Sequence, residues 1–150
     1  MTKIFIRAAN FDDAEDISKL IIKTLQESNV KDYSTKIIEE VIESFSPTKI
    51  TSRMAQRQIF IAIEQNQIIG TASLEDNMVR SVFVLPSKQM KKIGLQLMNH
   101  LENIAKEQNI QHLTVPSSIT AEAFYRKLGY KTIGEEYYGE ERTIIMEKHI

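Results

Sequence analysis

The sequence predicts an α/β domain built on one sheet of mixed strand direction, with helices layered on both faces (three layers, α/β/α). Three observations point there. Apolar residues recur at helical spacing up to about residue 45 and switch to strand runs at Ile59. Three of those runs are separated only by short polar turns, which makes an antiparallel meander. A strand, a helix and another strand follow, and a crossover of that kind pairs its two strands in parallel.

The elements are expected in the order β-α-α-β-β-β-α-β-α-β-β. Ile4, Phe5 and Ile6 form a short strand that ends at Ala8-Ala9-Asn10. Asn10 or Asp12 can cap a helix, and the carboxylates of Asp12, Asp13, Glu15 and Asp16 favour its positive end. Ile17, Leu20, Ile21 and Leu25 then mark its buried side. A second helix follows Ser34, with Ile37, Ile38, Val41, Ile42 and Phe45 on one side, and Pro47 ends it. The strand of Ile59 to Ile63 turns at Gln65-Asn66 into residues 67–74, which turn at Asp76-Asn77 into residues 78–85, stopped by Pro86. Residues 89–108 return to helical period through Ile93, Leu97, Leu101, Ile104 and Ala105. Residues 110–115 are a buried strand. Residues 121–128 are a short helix whose Gly129 suits a left-handed cap, and two strands near 130–138 and 143–148 close the chain.

The 150 residues make one domain, 1–150, with no repeat or linker-like tract, and 42% hydrophobic with 26% charged residues is ordinary for a globular protein. A formal net charge of -1 gives no broad field for nucleic acid or an anionic membrane. With no cysteine there is no thiol nucleophile, disulfide or thiolate metal site. The first residues lack the long apolar stretch of a secretory leader, and no apolar run approaches a membrane span. A reducing cytoplasm is the expected location. His100, His112 and His149 have no metal-ligand spacing, and no metal is expected.

Two segments carry chemistry. Val82-Phe83-Val84-Leu85-Pro86 ends a strand, and Ser87 to Lys92 leads into a helix through Ile93, Gly94 and Leu95. Such a loop aims unpaired backbone N–H groups at one spot, at the positive end of a helix dipole, and so favours phosphate. Lys88, Lys91 and Lys92 add charge. Alone, the segment reads rather as a plain connection with solvated lysines. The second segment, Ser118 to Tyr130, alone reads as an amphipathic helix burying Phe124 and Leu128, with Tyr125 a packed aromatic.

Together they resemble the GNAT superfamily of N-acetyltransferases. That family's loop reads Arg/Gln-x-x-Gly-x-Gly/Ala after a Val-x-Pro strand end, and Val84-Leu85-Pro86, Gln89 and Gly94 match it. Its later pattern, Asn/Ser-x-x-Ala-x-x-Phe-Tyr-x-Lys-x-Gly-Phe/Tyr, is met by Ser118, Ala121, Phe124, Tyr125, Lys127, Gly129 and Tyr130. Ile68-Ile69-Gly70 and Met146-Glu147-Lys148 also fit, so the resemblance runs from Ile4 to Lys148. One departure stands out. Lys92 replaces the first loop glycine, and it keeps the backbone contact only if its backbone stays in an ordinary region and its side chain turns outward.

The resemblance implies an enzyme that moves an acetyl group from acetyl-coenzyme A, its acyl-donor substrate, to a primary amine by direct attack. Val82, Phe83 and Val84 are expected to bind the pantetheine. Gln89, Met90, Lys91, Lys92, Ile93, Gly94 and Leu95 are expected to hold the pyrophosphate, and Ser118 to add a polar contact. Tyr125 is the expected proton donor. For the base, Glu75 comes first, with Asp76 and Glu64 behind it. The acidic segment 134–142 reads as a solvated hairpin or as a wall attracting a cationic amine. The acceptor is a small amine, polyamine, amino acid or peptide, with neither nucleic acid nor membrane as partner and a homodimer left open. The competing reading is a coenzyme A-binding regulatory module with weak catalysis, suggested by Lys92 and opposed by the retained Tyr125.

Overall fold

A computed structural model describes residues 3–150. Seven strands form one sheet, β1 (Ile4–Ala8), β2 (Gln58–Glu64), β3 (Gln67–Glu75), β4 (Met78–Val84), β5 (His112–Ser117), β6 (Lys131–Tyr138) and β7 (Glu141–His149). Their order across the sheet is β1-β2-β3-β4-β5-β7-β6. The meander is as expected. Gln65 and Asn66 both take positive φ, 50° and 62°, the mirror-image turn that matches strand twist in a tight hairpin.

Three helices, rather than two, lie between β1 and β2. They are α1 (Ala14–Glu27), α2 (Thr35–Glu43) and α3 (Pro47–Arg53). Pro47, expected to end a helix, instead starts one. Ser46 caps α3 by accepting from the Lys49 N–H, and a proline at the first helical position loses no bond it needed. Asn10 and Asp13 form a reciprocal capping box ahead of α1, and Arg7 grips Asp13 with bonds of 2.8 and 3.0 Å. The chain then continues through α4 (Ile93–Glu107) and α5 (Glu122–Lys127).

The helices sort onto the two faces of the sheet. Ile17 and Ile21 of α1 lie with Ile59, Thr71 and Ser73, whereas Phe60, one residue along, meets His100 of α4 edge-on at 4.6 Å. Gly70 on β3 lets α4 come close, since a Cβ there would sit 3.0 Å from Leu97 Cδ1 and 3.3 Å from Ile93 Cγ2. Ile61, Ile69, Leu74, Ile93, Leu97, Leu101 and Leu113 are fully enclosed in the resulting core. No helix among the described residues is long and apolar enough to cross a membrane.

Two irregularities in the middle of the sheet create the site. The register of β3 against β4 slips between Thr71 and Ser73, so β4 carries one extra residue and bulges, with Ser81 at φ 51°. Beyond it, β4 and β5 are parallel but pair only at Met78 and Thr114, then separate. Pro116 fits this separation. Thr114 donates its N–H to Asn77 O on the β4 side, and strand alternation aims the nitrogen of residue 116 the same way. A proline leaves no unpaired N–H there.

Candidate active site

The gap between β4 and β5 opens into a cavity of about 840 Å³, bordered also by α1, α2, the start of α4, α5 and the β6–β7 turn. Its backbone wall is β4. Leu85 donates to Ile69 O at 2.9 Å, which places Phe83 in the β3 ladder and turns the Val84 N–H and C=O toward the gap. Val82 follows Val84 by alternation, so these two residues offer the gap their backbone. Phe83 borders the cavity as well, but its backbone belongs to the ladder with Thr71, which corrects its expected role. Its ring packs edge-on against Phe45 at 5.6 Å.

The loop after β4 winds as a 3-10 helix over Pro86–Lys91, and α4 then begins at Ile93. Lys92 between them lies at φ 62°, ψ 19°. The ordinary backbone on which the loop contact was expected to depend is therefore not the one Lys92 adopts. Lys92 adopts the left-handed geometry that the missing glycine would take without strain, so the chain turns into the helix as it would with glycine. Serines cap α2 and α3, but Lys92 makes no side-chain bond to the first turn of α4. The first N–H groups of α4 thus stay open toward the cavity, at the positive end of a 15-residue helix. Gly94 on that turn takes the Phe124 ring against it, since an added Cβ would sit 3.0 Å from Cζ.

The other expected cofactor residues divide. Gln89, Lys92, Gly94, Leu95 and Ser118 border the cavity. Gln89 uses its amide to hold the loop, donating to Val84 O and Ser28 Oγ at 3.1 Å each. Ser118 Oγ accepts from the Ala121 N–H at 3.1 Å, and its own proton remains to donate. Ile93 is wholly buried in the core, and Lys91 is exposed outside the cavity wall. The Met90 side chain lies outside the described residues. Lys88 is drawn away from the loop mouth into a 2.7 Å ion pair with Glu64, so it adds little free charge there.

Tyr125, on α5, is 4% exposed and borders the cavity. Burial alone pushes its phenol upward, so it stays protonated through the neutral range. Glu75 is misplaced as a base. It does not border the cavity, and its Oε1 sits 3.5 Å from Arg57 Nη2 and 3.6 Å from Arg80 Nε. Asp76 occupies the β3–β4 turn, and Glu64 holds Lys88.

Residues that local pattern did not single out form the far end of the cavity. Tyr33 donates to Arg142 O and accepts from the Ile119 N–H, bracing α2's lead-in across the opening. Glu141, the first residue of β7, and Glu40 of α2 both face the cavity. Burial, and then the Glu40 charge, raise the Glu141 carboxyl above the usual glutamate range. Tyr138 and Glu141 bring the acidic segment 134–142 to the wall, although most of β6 is exposed.

Residues 29–148 match the sequence pattern of the GNAT acetyltransferase domain. The chain belongs to the GNAT acetyltransferase family. A relative from Bacillus subtilis (strain 168) is 32% identical over 84 residues, which covers 53% of this chain and 57% of that protein's length. A GCN5-related N-acetyltransferase from Rhodopseudomonas palustris superposes with a TM-score of 0.93 at 24% identity, over 100% of this chain and 98% of that one. The PaiA N-acetyltransferase of Thermoplasma acidophilum, solved in complex with coenzyme A, gives 0.85 at 23% identity over 99% of each chain. The fold of this GNAT chain is thus common to both solved structures, and one of those holds coenzyme A.

Proposed function

We propose that the protein transfers an acetyl group from acetyl-coenzyme A to a primary amine, in one step and without a covalent enzyme intermediate. The observation that carries this reading is the joining of three features in one cavity: the splayed β4 backbone, the uncapped start of α4 and the buried Tyr125 hydroxyl. An elongated thioester with a pyrophosphate at one end suits that arrangement. The first N–H groups of α4 meet the phosphates, while the Val82 backbone and the Val84 N–H offer hydrogen-bonding groups along the pantetheine, Val84 O being engaged by Gln89 and Thr24.

Acetyl-coenzyme A supplies an acyl carbon already activated as a thioester. The acceptor's nitrogen bonds to that carbon, the carbon–sulfur bond breaks, and Tyr125 gives its proton to the departing sulfur. The acceptor must first shed its ammonium proton. For an amine of pKa about 10.4 this costs roughly 4.6 kcal/mol at pH 7. Glu141 faces the same cavity and its raised carboxyl is the better receiver than Glu75. One proton is released overall, because Tyr125 recovers its own from the amide nitrogen side through solvent.

The reading of a weakly catalytic regulatory module rested on Lys92. Its left-handed backbone gives the loop the shape glycine would give, so that ground is weak. The test is coenzyme A release from acetyl-coenzyme A over a panel of amines. Tyr125→Phe is expected to lower kcat by about 100-fold or more while coenzyme A still binds. The wild-type rate should show no alkaline decline from this group below about pH 10. A Phe variant with the wild-type rate would remove Tyr125 from the chemistry.

A further inference from the structure

Next to the acceptor end of the cavity lies a cluster of cations that the acetyl-transfer chemistry does not use. Arg57 and Arg80 gather around one carboxylate, Glu75, and Arg53, stacked over the Phe45 ring, adds its charge beside Arg57. The arginines are poorly satisfied. Arg57 is 13% exposed, and its contacts among the described residues are Glu75 Oε1 at 3.5 Å and Ser81 Oγ at 3.5 Å. The Nε atom of Arg57 is buried without a hydrogen-bond partner, and that of Arg80, also buried, has only Glu75 Oε1, at 3.6 Å. Two guanidinium groups thus share one carboxylate, which leaves the cluster with an excess of positive charge and of donors.

The cluster faces the site. Arg80 borders the main cavity, while Arg53 and Arg57 line a small cleft that meets it at Phe45 and Ser81. Ser81 is the strained bulge residue, and its φ of 51° sets it between the two spaces. Glu40 and Glu141 stand on the same cavity wall system, and Tyr138 feels the charges of both Arg80 and Glu141. The acceptor end therefore carries both a guanidinium and carboxylates. Ile37, Val41 and Phe45 supply apolar lining.

We propose that the acceptor is a free amino acid, whose carboxylate is held at Arg80 and whose amine is directed to Glu141. This rests on the acetyltransferase reading. A carboxylate is the anion that a guanidinium fork fits best, and the cations of Arg57 and Arg53 behind Arg80 strengthen its field. A plain amine or polyamine leaves that cationic cluster unanswered and brings a further positive charge, or none, to it.

Matched acceptors test the proposal: L-leucine against 3-methylbutylamine, L-phenylalanine against 2-phenylethylamine, and L-lysine against cadaverine, all with acetyl-coenzyme A. The amino acid is expected to exceed its decarboxylated partner in kcat/KM by at least about tenfold in one or more pairs. Arg80→Gln should cut that ratio to within about threefold, mainly by raising KM for the amino acid, and Arg80→Lys should restore part of it. A merely structural role for Arg80 would depress both members of a pair alike, and that result overturns the proposal. Equal or better turnover of the decarboxylated amines overturns it too, as does turnover of no amino acid by a protein that binds acetyl-coenzyme A. Failure to bind acetyl-coenzyme A at all would instead bring down the acetyltransferase reading.

Discussion

Lys92 holds a backbone conformation that side chains other than glycine's resist, at a cost of about 1–2 kcal/mol. Glycine would relieve that strain but lose more freedom on folding, so Lys92→Gly is expected to stabilise the protein by a net ~0.5–1 kcal/mol. Thermal unfolding should register this as a rise of roughly 1–4 °C. A fall in melting temperature would mean that the Lys92 side chain makes a compensating contact. Tyr125 shows the opposite economy. Its burial keeps the phenol neutral with no strain in the backbone, as the proton donor proposed above requires. Both residues stood out in the sequence, but for Lys92 the residue's name implied ordinary dihedrals while the loop's shape demanded the left-handed ones.

Among the elements, the contact between α4 and α5 decides whether the loop ahead of α4 keeps its shape. Phe124 lies on the first turn of α4 because Gly94 has no Cβ. Gly94→Ala would force the ring aside, and a loss of about 1–3 kcal/mol in unfolding free energy is expected, read from a denaturant titration. An unchanged midpoint would show that the ring moves freely and that the glycine serves the ligand alone. The strands and turns were legible because each signal is local. Gln65-Asn66 forms its turn from two adjacent residues, and Gly129 takes φ 99° after α5 as a helix-ending glycine should. Pro47 misled because the same ring stops one helix and suits the first position of the next. The far end of the cavity was not legible. Arg80, Glu40 and Glu141 are far apart in sequence and are brought to one wall only by the β4 bulge and the return of β7 to β5.

At the scale of the whole molecule, the sheet is continuous except where β4 and β5 part, and the cavity occupies that one break in the central ladder. The family match covers residues 29–148, and a protein with the same fold has been solved in complex with coenzyme A. The central claim is that the break holds coenzyme A with its pyrophosphate at the start of α4. A calorimetric titration of the protein with coenzyme A, compared with pantetheine, tests it most directly. Coenzyme A should bind one per chain, and pantetheine, which lacks the pyrophosphate, at least about tenfold more weakly, a difference of about 1.4 kcal/mol. Equal affinities, or no binding of coenzyme A, would contradict the account.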